Sequence, residues 1–180
     1  TAPLSSCAMP MKLAVCVSGR GSNLTALLDA LAASGGQAEV VLVLSNRADA
    51  PALERARERG IPAESLADHR DAAEWIARLE ASGAELIVLA GYLKLVPAGV
   101  ISAYRDRVLN VHPALLPDFG GPGMYGRHVH EAVLRSGRRV SGATVHLVDE
   151  AYDRGRILAQ ARVPVEPDDT PETLAARVLR

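Results

Sequence analysis

An amide and an imidazole two residues apart, Asn110 and His112, close the apolar run Val108-Leu109 directly before Pro113. Strand side chains alternate between faces, so this spacing sends both groups to the same side. Buried there, they need partners, because an unpaired polar group costs about 1–3 kcal/mol. Histidine titrates near neutrality and can relay protons, while asparagine offers an uncharged donor suited to an oxyanion. No serine or cysteine stands beside them in an elbow-like turn, so a covalent nucleophile is not indicated.

Two other segments carry chemical groups. Ser18-Gly19-Arg20-Gly21-Ser22-Asn23 follows the first apolar run. Its glycines permit a tight turn, and free amides at a helix N-terminus attract anions such as phosphate. It approaches the dinucleotide pattern Gly-x-Gly-x-x-Gly, but Leu24 occupies the third glycine position. Leu44-Ser45-Asn46 also lacks the acid that would hold a ribose hydroxyl. A phosphate on a smaller ligand is therefore expected, against the plain alternative of a tight turn. The acidic segment Asp149-Glu150-Ala151-Tyr152-Asp153-Arg154-Gly155 could bring a carboxylate beside His112, raising its pKa and fixing the ring. Spacing alone does not choose among Asp149, Glu150 and Asp153. His112, His128, His130 and His146 invite a metal reading. However, His128 and His130 fall on different sides of a helix and no cysteine lies near, so no metal is expected. His146, in an alternating run, reads as a packed sheet residue.

These groups must be positioned by a regular scaffold. Residues 13–17, 40–44, 61–66, 86–89 and 107–111 read as apolar strands. Between them, Leu24, Leu27, Leu28 and Leu31 fall at helix spacing, 51–59 forms a helix stopped by Gly60, and 70–82 forms another. Uninterrupted apolar strands alternating with helices indicate an α/β fold whose parallel sheet is covered on both faces. Residues 143–148 and 157–163 add two strands around the acidic loop. Thr170-Pro171 then caps and opens a last helix. Residues 1–11 are expected to be a disordered leader, with the natural start at or near Met9 or Met11, and residues 12–180 to form one domain. The last helix is expected to be still running at Arg180, with a C-terminal segment missing.

With 180 residues, 48% hydrophobic and 23% charged, the chain suits one soluble domain. A net charge of −1 gives no reason to expect nucleic acid or an anionic membrane as partner. No apolar run approaches the roughly 20 residues of a membrane span. Two cysteines, Cys7 and Cys16, make no disulfide framework and fit a reducing cytoplasm. Cys16, inside the first strand, is expected to be inert core.

Four segments together carry a family resemblance: Ser18 to Asn23, Leu89-Ala90-Gly91-Tyr92-Leu93, Asn110-Val111-His112-Pro113-Ala114-Leu115-Leu116-Pro117, and Gly142-Ala143-Thr144-Val145-His146. In unbroken order over residues 12–180, the chain resembles the folate-dependent formyltransferases. Its Gly-Ser-Asn loop is similar to that of their phosphoribosylglycinamide formyltransferase branch. The resemblance implies a Rossmann-like three-layer fold with a mostly parallel central sheet. It also implies transfer of a formyl group from 10-formyltetrahydrofolate to the amine of glycinamide ribonucleotide, in purine biosynthesis, by a monomer or homodimer. Gly21, Ser22 and Asn23 would bind the ribose phosphate. Leu93, Lys94, Leu95 and Val96 would line the folate pocket, chiefly through backbone groups, with Arg70 as a further contact. Asn110 and His112 fall on the catalytic pair. Asp153, two residues before Gly155 and seven before Gln160, falls on the catalytic aspartate, which would keep His112 protonatable near neutral pH.

The implied reaction is direct attack through a tetrahedral intermediate. The longer loop Gly120 to Gly126 reads as a mobile lid. Arg156 stands where many relatives carry proline, and a glutamate near the substrate would fall just past Arg180. Related alternatives are formyltetrahydrofolate deformylase and methionyl-tRNA formyltransferase, which carry additional domains. A nucleotide-binding module without catalysis is the alternative from another class.

Overall fold

Alternating strands and helices form one seven-stranded sheet in the computed structural model, which describes residues 9–149 and 153–180. In chain order the elements are β1 (Met11–Val17), α1 (Ser22–Ala33), β2 (Ala38–Ser45), α2 (Pro51–Glu58), β3 (Ala63–Ser65), α3 (Ala72–Ser82) and β4 (Leu86–Leu89). There follow α4 (Ala98–Ala103), β5 (Val108–His112), α5 (Arg127–Arg135), β6 (Val140–Leu147), β7 (Ile157–Pro164) and α6 (Pro171–Val178). The sheet order is β3-β2-β1-β4-β5-β6-β7. Strands β3 to β5 of that order run parallel, and β6 and β7 are added antiparallel.

The apolar runs lack a polar alternate because both faces of the sheet are covered. Ala14 and Cys16 of β1, Leu42 and Leu44 of β2, and Ile87 and Leu89 of β4 pack into one core with Trp75 and Leu79 of α3. Their neighbours Val15, Val17, Val43 and Val88 pack on the other side with Leu24 of α1 and Leu53 of α2. A smaller cluster joins Val129 and Val133 of α5 to Leu174 of α6.

The chain winds outward from β1 to β2 and β3, then returns to place β4 on the other side of β1. Winding reverses at β1 and β4, and open α/β sheets bind ligands at such a reversal, outside the carboxyl ends of the strands. The loops after β1, β4 and β5 all emerge there.

Several boundaries differ from expectation for local reasons. Helix α3 starts at Ala72 rather than at 70, because Asp71 caps it by accepting from the backbone N–H groups of Ala73 and Glu74. Strand β3 shrinks to three residues at the sheet edge. Helix α4 leaves no trace in the sequence pattern, since its six residues are too few to show a period. Thr170 and Pro171 open α6 as expected, with a capping box between Thr170 and Thr173. Helix α6 ends at Val178. Residues 1–8 of the expected leader lie outside the described residues, and Met11 already pairs with Ala38 in β1.

Candidate active site

Strand β5 delivers Asn110 and His112 to the carboxyl edge of the sheet, where both reach the Asp153 carboxylate. Asn110 Nδ2 donates to Asp153 Oδ1 at 3.3 Å, and His112 Nδ1 lies 3.6 Å from the same oxygen. The three groups expected to act together therefore meet. Asp149 lines the same cavity, while Glu150 lies outside the described residues.

Asp153 is aimed by its loop. The backbone N–H of Gly121 donates to its Oδ2 at 3.0 Å. Two residues on, Gly155 packs so tightly that a Cβ there would sit 1.7 Å from the carbonyl oxygen of Leu147. That contact gives the Asp-x-Gly spacing its physical reason, because only glycine lets the loop turn back against β6.

The loop leaving His112 is pinned by Thr144, which is fully buried on β6 opposite His112. Its hydroxyl donates to the Ala114 carbonyl at 2.6 Å and accepts from the Leu116 N–H at 3.0 Å. Gln160 of β7 donates to the Leu116 carbonyl and to the Thr144 hydroxyl. The imidazole of His112 is fixed by Phe119, whose carbonyl lies 2.8 Å from Nε2. A carbonyl can only accept, so Nε2 carries the proton and Nδ1 presents its lone pair in the neutral ring.

Electrostatics correct one expectation. Burial pushes the His112 imidazole below the ordinary histidine value, and His146 pushes the same way, outweighing Asp153 and the Phe119 carbonyl. His112 is thus neutral at neutral pH, not held protonated by the aspartate. Burial pushes the Asp153 carboxyl up, but its contact with His146 and the hydrogen bond from the Gly121 N–H hold it below the usual range. Asp153 is a carboxylate.

A cavity of about 1570 Å³ runs along this edge. Asn110, His112 and Asp153 form part of its wall, and Ser22 and Asn23 another part. Gly21 shapes the turn: its φ is 81°, and a Cβ there would meet the Ala52 Cβ at 2.7 Å. Ser18 ties three loops together, donating to Asn46 Oδ1 at 2.6 Å and accepting from the Leu93 N–H at 2.9 Å. The Leu93 N–H is therefore already engaged, which removes it from the backbone groups expected to read a ligand. Leu93, Lys94, Leu95 and Val96 all line the cavity; Leu93 and Leu95 are exposed and Val96 is buried. Arg70 also lines it, and its guanidinium is turned onto Asp68, with Nε 3.1 Å from Oδ1. The expected lid contributes Gly121 to Gly126 to the wall.

Two further histidines reach the site, and His146 is packed in the sheet as expected. His146 lies across from Asn110 in the β5–β6 register, with its Nε2 3.4 Å from Asp153 Oδ1 and 3.0 Å from Asn110 Nδ2. Its signal was the pair Thr144 and His146 at strand spacing, two polar groups on one face of a buried strand. His130 of α5 is buried, lines the cavity, and has no partner at Nδ1 among the described residues. His128 is exposed on the other side of α5, as its spacing implied. Among the described residues, no three His, Cys, Asp or Glu side chains are grouped to hold a metal ion.

A family model described as formyl transferase matches residues 11–180. The chain belongs to the formyl transferase family. The chain is 47% identical over 175 residues to the chloroplastic phosphoribosylglycinamide formyltransferase of Arabidopsis thaliana, covering 93% of the chain but only 60% of the plant protein's length. It is 38% identical over 174 residues to the phosphoribosylglycinamide formyltransferase of Escherichia coli strain K12, covering 93% of the chain and 80% of that protein. Among solved structures, glycinamide ribonucleotide transformylase 1 from Symbiobacterium toebii matches with a TM-score of 0.87 at 38% identity, over 99% of this chain and 84% of that one. The sheet and its flanking helices are those of the formyltransferase fold.

Proposed function

We propose that this formyl transferase moves the formyl group of 10-formyltetrahydrofolate to the amine of glycinamide ribonucleotide, a step of purine biosynthesis, as a monomer or homodimer. The observation that carries the reading is the meeting of Asn110, His112 and Asp153 on the wall of a cavity that also reaches the Ser22-Asn23 turn. The apolar side chains of Leu93 and Leu95 suit the folate ring, with Lys94, Val96 and Arg70 beside them. The turn of Gly21, Ser22 and Asn23, at the positive end of α1, suits the phosphate. The buried Cys16 thiol fits a reducing cytoplasm.

Neutral His112 changes the order of proton steps. Its Nδ1 lone pair and the Asp153 carboxylate are two acceptors 3.6 Å apart, a receptor for the N–H groups of the incoming amine. The amine attacks the formyl carbon as His112 Nδ1 accepts a proton from the nitrogen. The imidazolium so formed is stabilised by Asp153 and becomes a donor, first toward the oxyanion and then toward the departing folate nitrogen. Proton transfer of this kind contributes about 10²–10⁴-fold.

The test is product analysis by mass spectrometry with glycinamide ribonucleotide and 10-formyl-5,8-dideazafolate. Formylated nucleotide supports the reading. Formate without formylated nucleotide would convert it to a deformylase. Binding of both ligands without any product would reduce it to a binding module.

A further inference from the structure

The Asn110 side chain faces three groups at once. Asp153 Oδ1, a carboxylate oxygen, can only accept, so the amide atom 3.3 Å from it is the NH2 nitrogen. That nitrogen is also 3.0 Å from Nε2 of His146. On the other side of the ring, Nδ1 of His146 is 2.9 Å from the carbonyl of Leu147, which fixes a proton on Nδ1. In the neutral ring, Nε2 is therefore a lone pair and accepts the second amide hydrogen. Both N–H groups of Asn110 are then spent on protein, and the amide offers the cavity its oxygen. An oxyanion needs the opposite polarity.

We propose that His146 is a positioning residue that acts through Asn110: when its Nε2 gains a proton, the amide turns and presents an N–H to the cavity. The proposal rests on the formyl-transfer reading of the site, in which negative charge develops on the formyl oxygen. Protonated Nε2 has an acceptor ready in Asp153 Oδ1, 3.4 Å away. The amide hydrogen that pointed at Nε2 now meets a donor and loses its bond. Asn110 keeps Asp153 through one hydrogen and releases the other.

The surroundings of His146 favour this. Its side chain is almost wholly buried, and the groups that face it are Asn110 and His112 of β5, Asp153 and Asp149 of the following loop, and the Leu147 carbonyl of its own strand. Burial pushes the imidazole down, but hydrogen bonds to Asp153 and the Leu147 carbonyl, with the fields of Asp153 and Asp149, hold it above the ordinary histidine value. His112, buried beside it, shifts the other way. The site thus shifts its two histidines in opposite directions: proton uptake is favoured at His146, while His112 stays free to take a proton from substrate.

The test uses the whole chain and two readouts. In the free protein, NMR follows the Asn110 side-chain NH2 signals and the His146 ring as pH rises. The Asn110 signals are expected to move with the midpoint of His146 and to lose that step in His146→Gln. Asn110 signals that ignore the His146 titration would overturn the proposal, whatever the activity. In steady-state assays, loss of one oxyanion donor corresponds to about 10²–10³ in kcat. His146→Gln is expected to lower kcat by at least about tenfold at unchanged KM, and to flatten the fall of kcat as pH rises through the His146 midpoint. Wild-type kcat with a wild-type pH profile in His146→Gln would also overturn it. A wild-type chain that transfers no formyl group would instead remove the functional reading, and the NMR result would still decide whether His146 controls the amide.

Discussion

Replacing Thr144 by valine tests how the loop after His112 is held. Valine matches threonine in shape but has no hydroxyl, and Thr144 is fully buried. The substitution leaves the Ala114 carbonyl and the Leu116 N–H without the partner they have at 2.6 and 3.0 Å. Gln160 keeps its bond to the Leu116 carbonyl at 2.8 Å and so partly holds the loop. Each orphaned buried group costs about 1–3 kcal/mol, so Thr144→Val should lose roughly 3 kcal/mol. For a chain of this size that lowers Tm by about 6–12 °C. Urea unfolding with an unchanged slope would measure the loss directly. Thr144→Ser keeps the hydroxyl and should lose about 1 kcal/mol for the missing methyl. Two results would refute the reasoning: a valine variant as stable as wild type, or a serine variant as unstable as the valine one.

Gly155→Ala should fail to give folded protein, because the new Cβ would lie 1.7 Å from the Leu147 carbonyl oxygen; a soluble variant with a native circular dichroism spectrum would contradict the contact. Cys16 is buried and burial pushes its thiol up, so a thiol reagent should spare it in the native chain and label it only on unfolding, as followed by peptide mass spectrometry. The Arg177 guanidinium beside Asp169 holds its carboxyl below the usual range, with bonds from the Thr173 hydroxyl and the Glu166 N–H adding to this. A group with a depressed folded pKa stabilises the fold above its unfolded value, about 3.9, and loses that contribution as pH falls through the folded value. Asp169→Asn should therefore be less stable than wild type at neutral pH and converge with it in strong acid. A gap that does not close would sink the assignment.

Sequence patterns carried the scaffold well where one residue type has one physical meaning. The unbroken valines and leucines of β1, β2 and β4 required two covered faces, and the structure supplies them. Asn110 and His112 had to share a side by strand geometry alone. Choosing Asp153 over Asp149 and Glu150 needed the resemblance, since the choice depends on how Gly155 folds the loop back onto Leu147. Asp153 does act to raise the His112 pKa as the sequence implies, but sequence does not show the depth of burial that outweighs it. His146 is packed in the sheet as its alternating run implies, but its contact with Asn110 is not legible in sequence, because the two lie 36 residues apart and meet only through antiparallel pairing. The Leu93 N–H is taken by Ser18 from the loop after β1, a contact 75 residues apart that no local pattern shows.

Asp153→Asn keeps the volume of the side chain and removes its charge, and Asp153 lies within 3.6 Å of Asn110, His112 and His146. Turnover of glycinamide ribonucleotide by this variant, at saturating 10-formyl-5,8-dideazafolate, probes the convergence most directly. A fall in kcat of about 10²-fold or more with folate-analogue binding intact is predicted. Turnover equal to wild type would mean that the carboxylate, and with it the proposed site, is not where the formyl group moves.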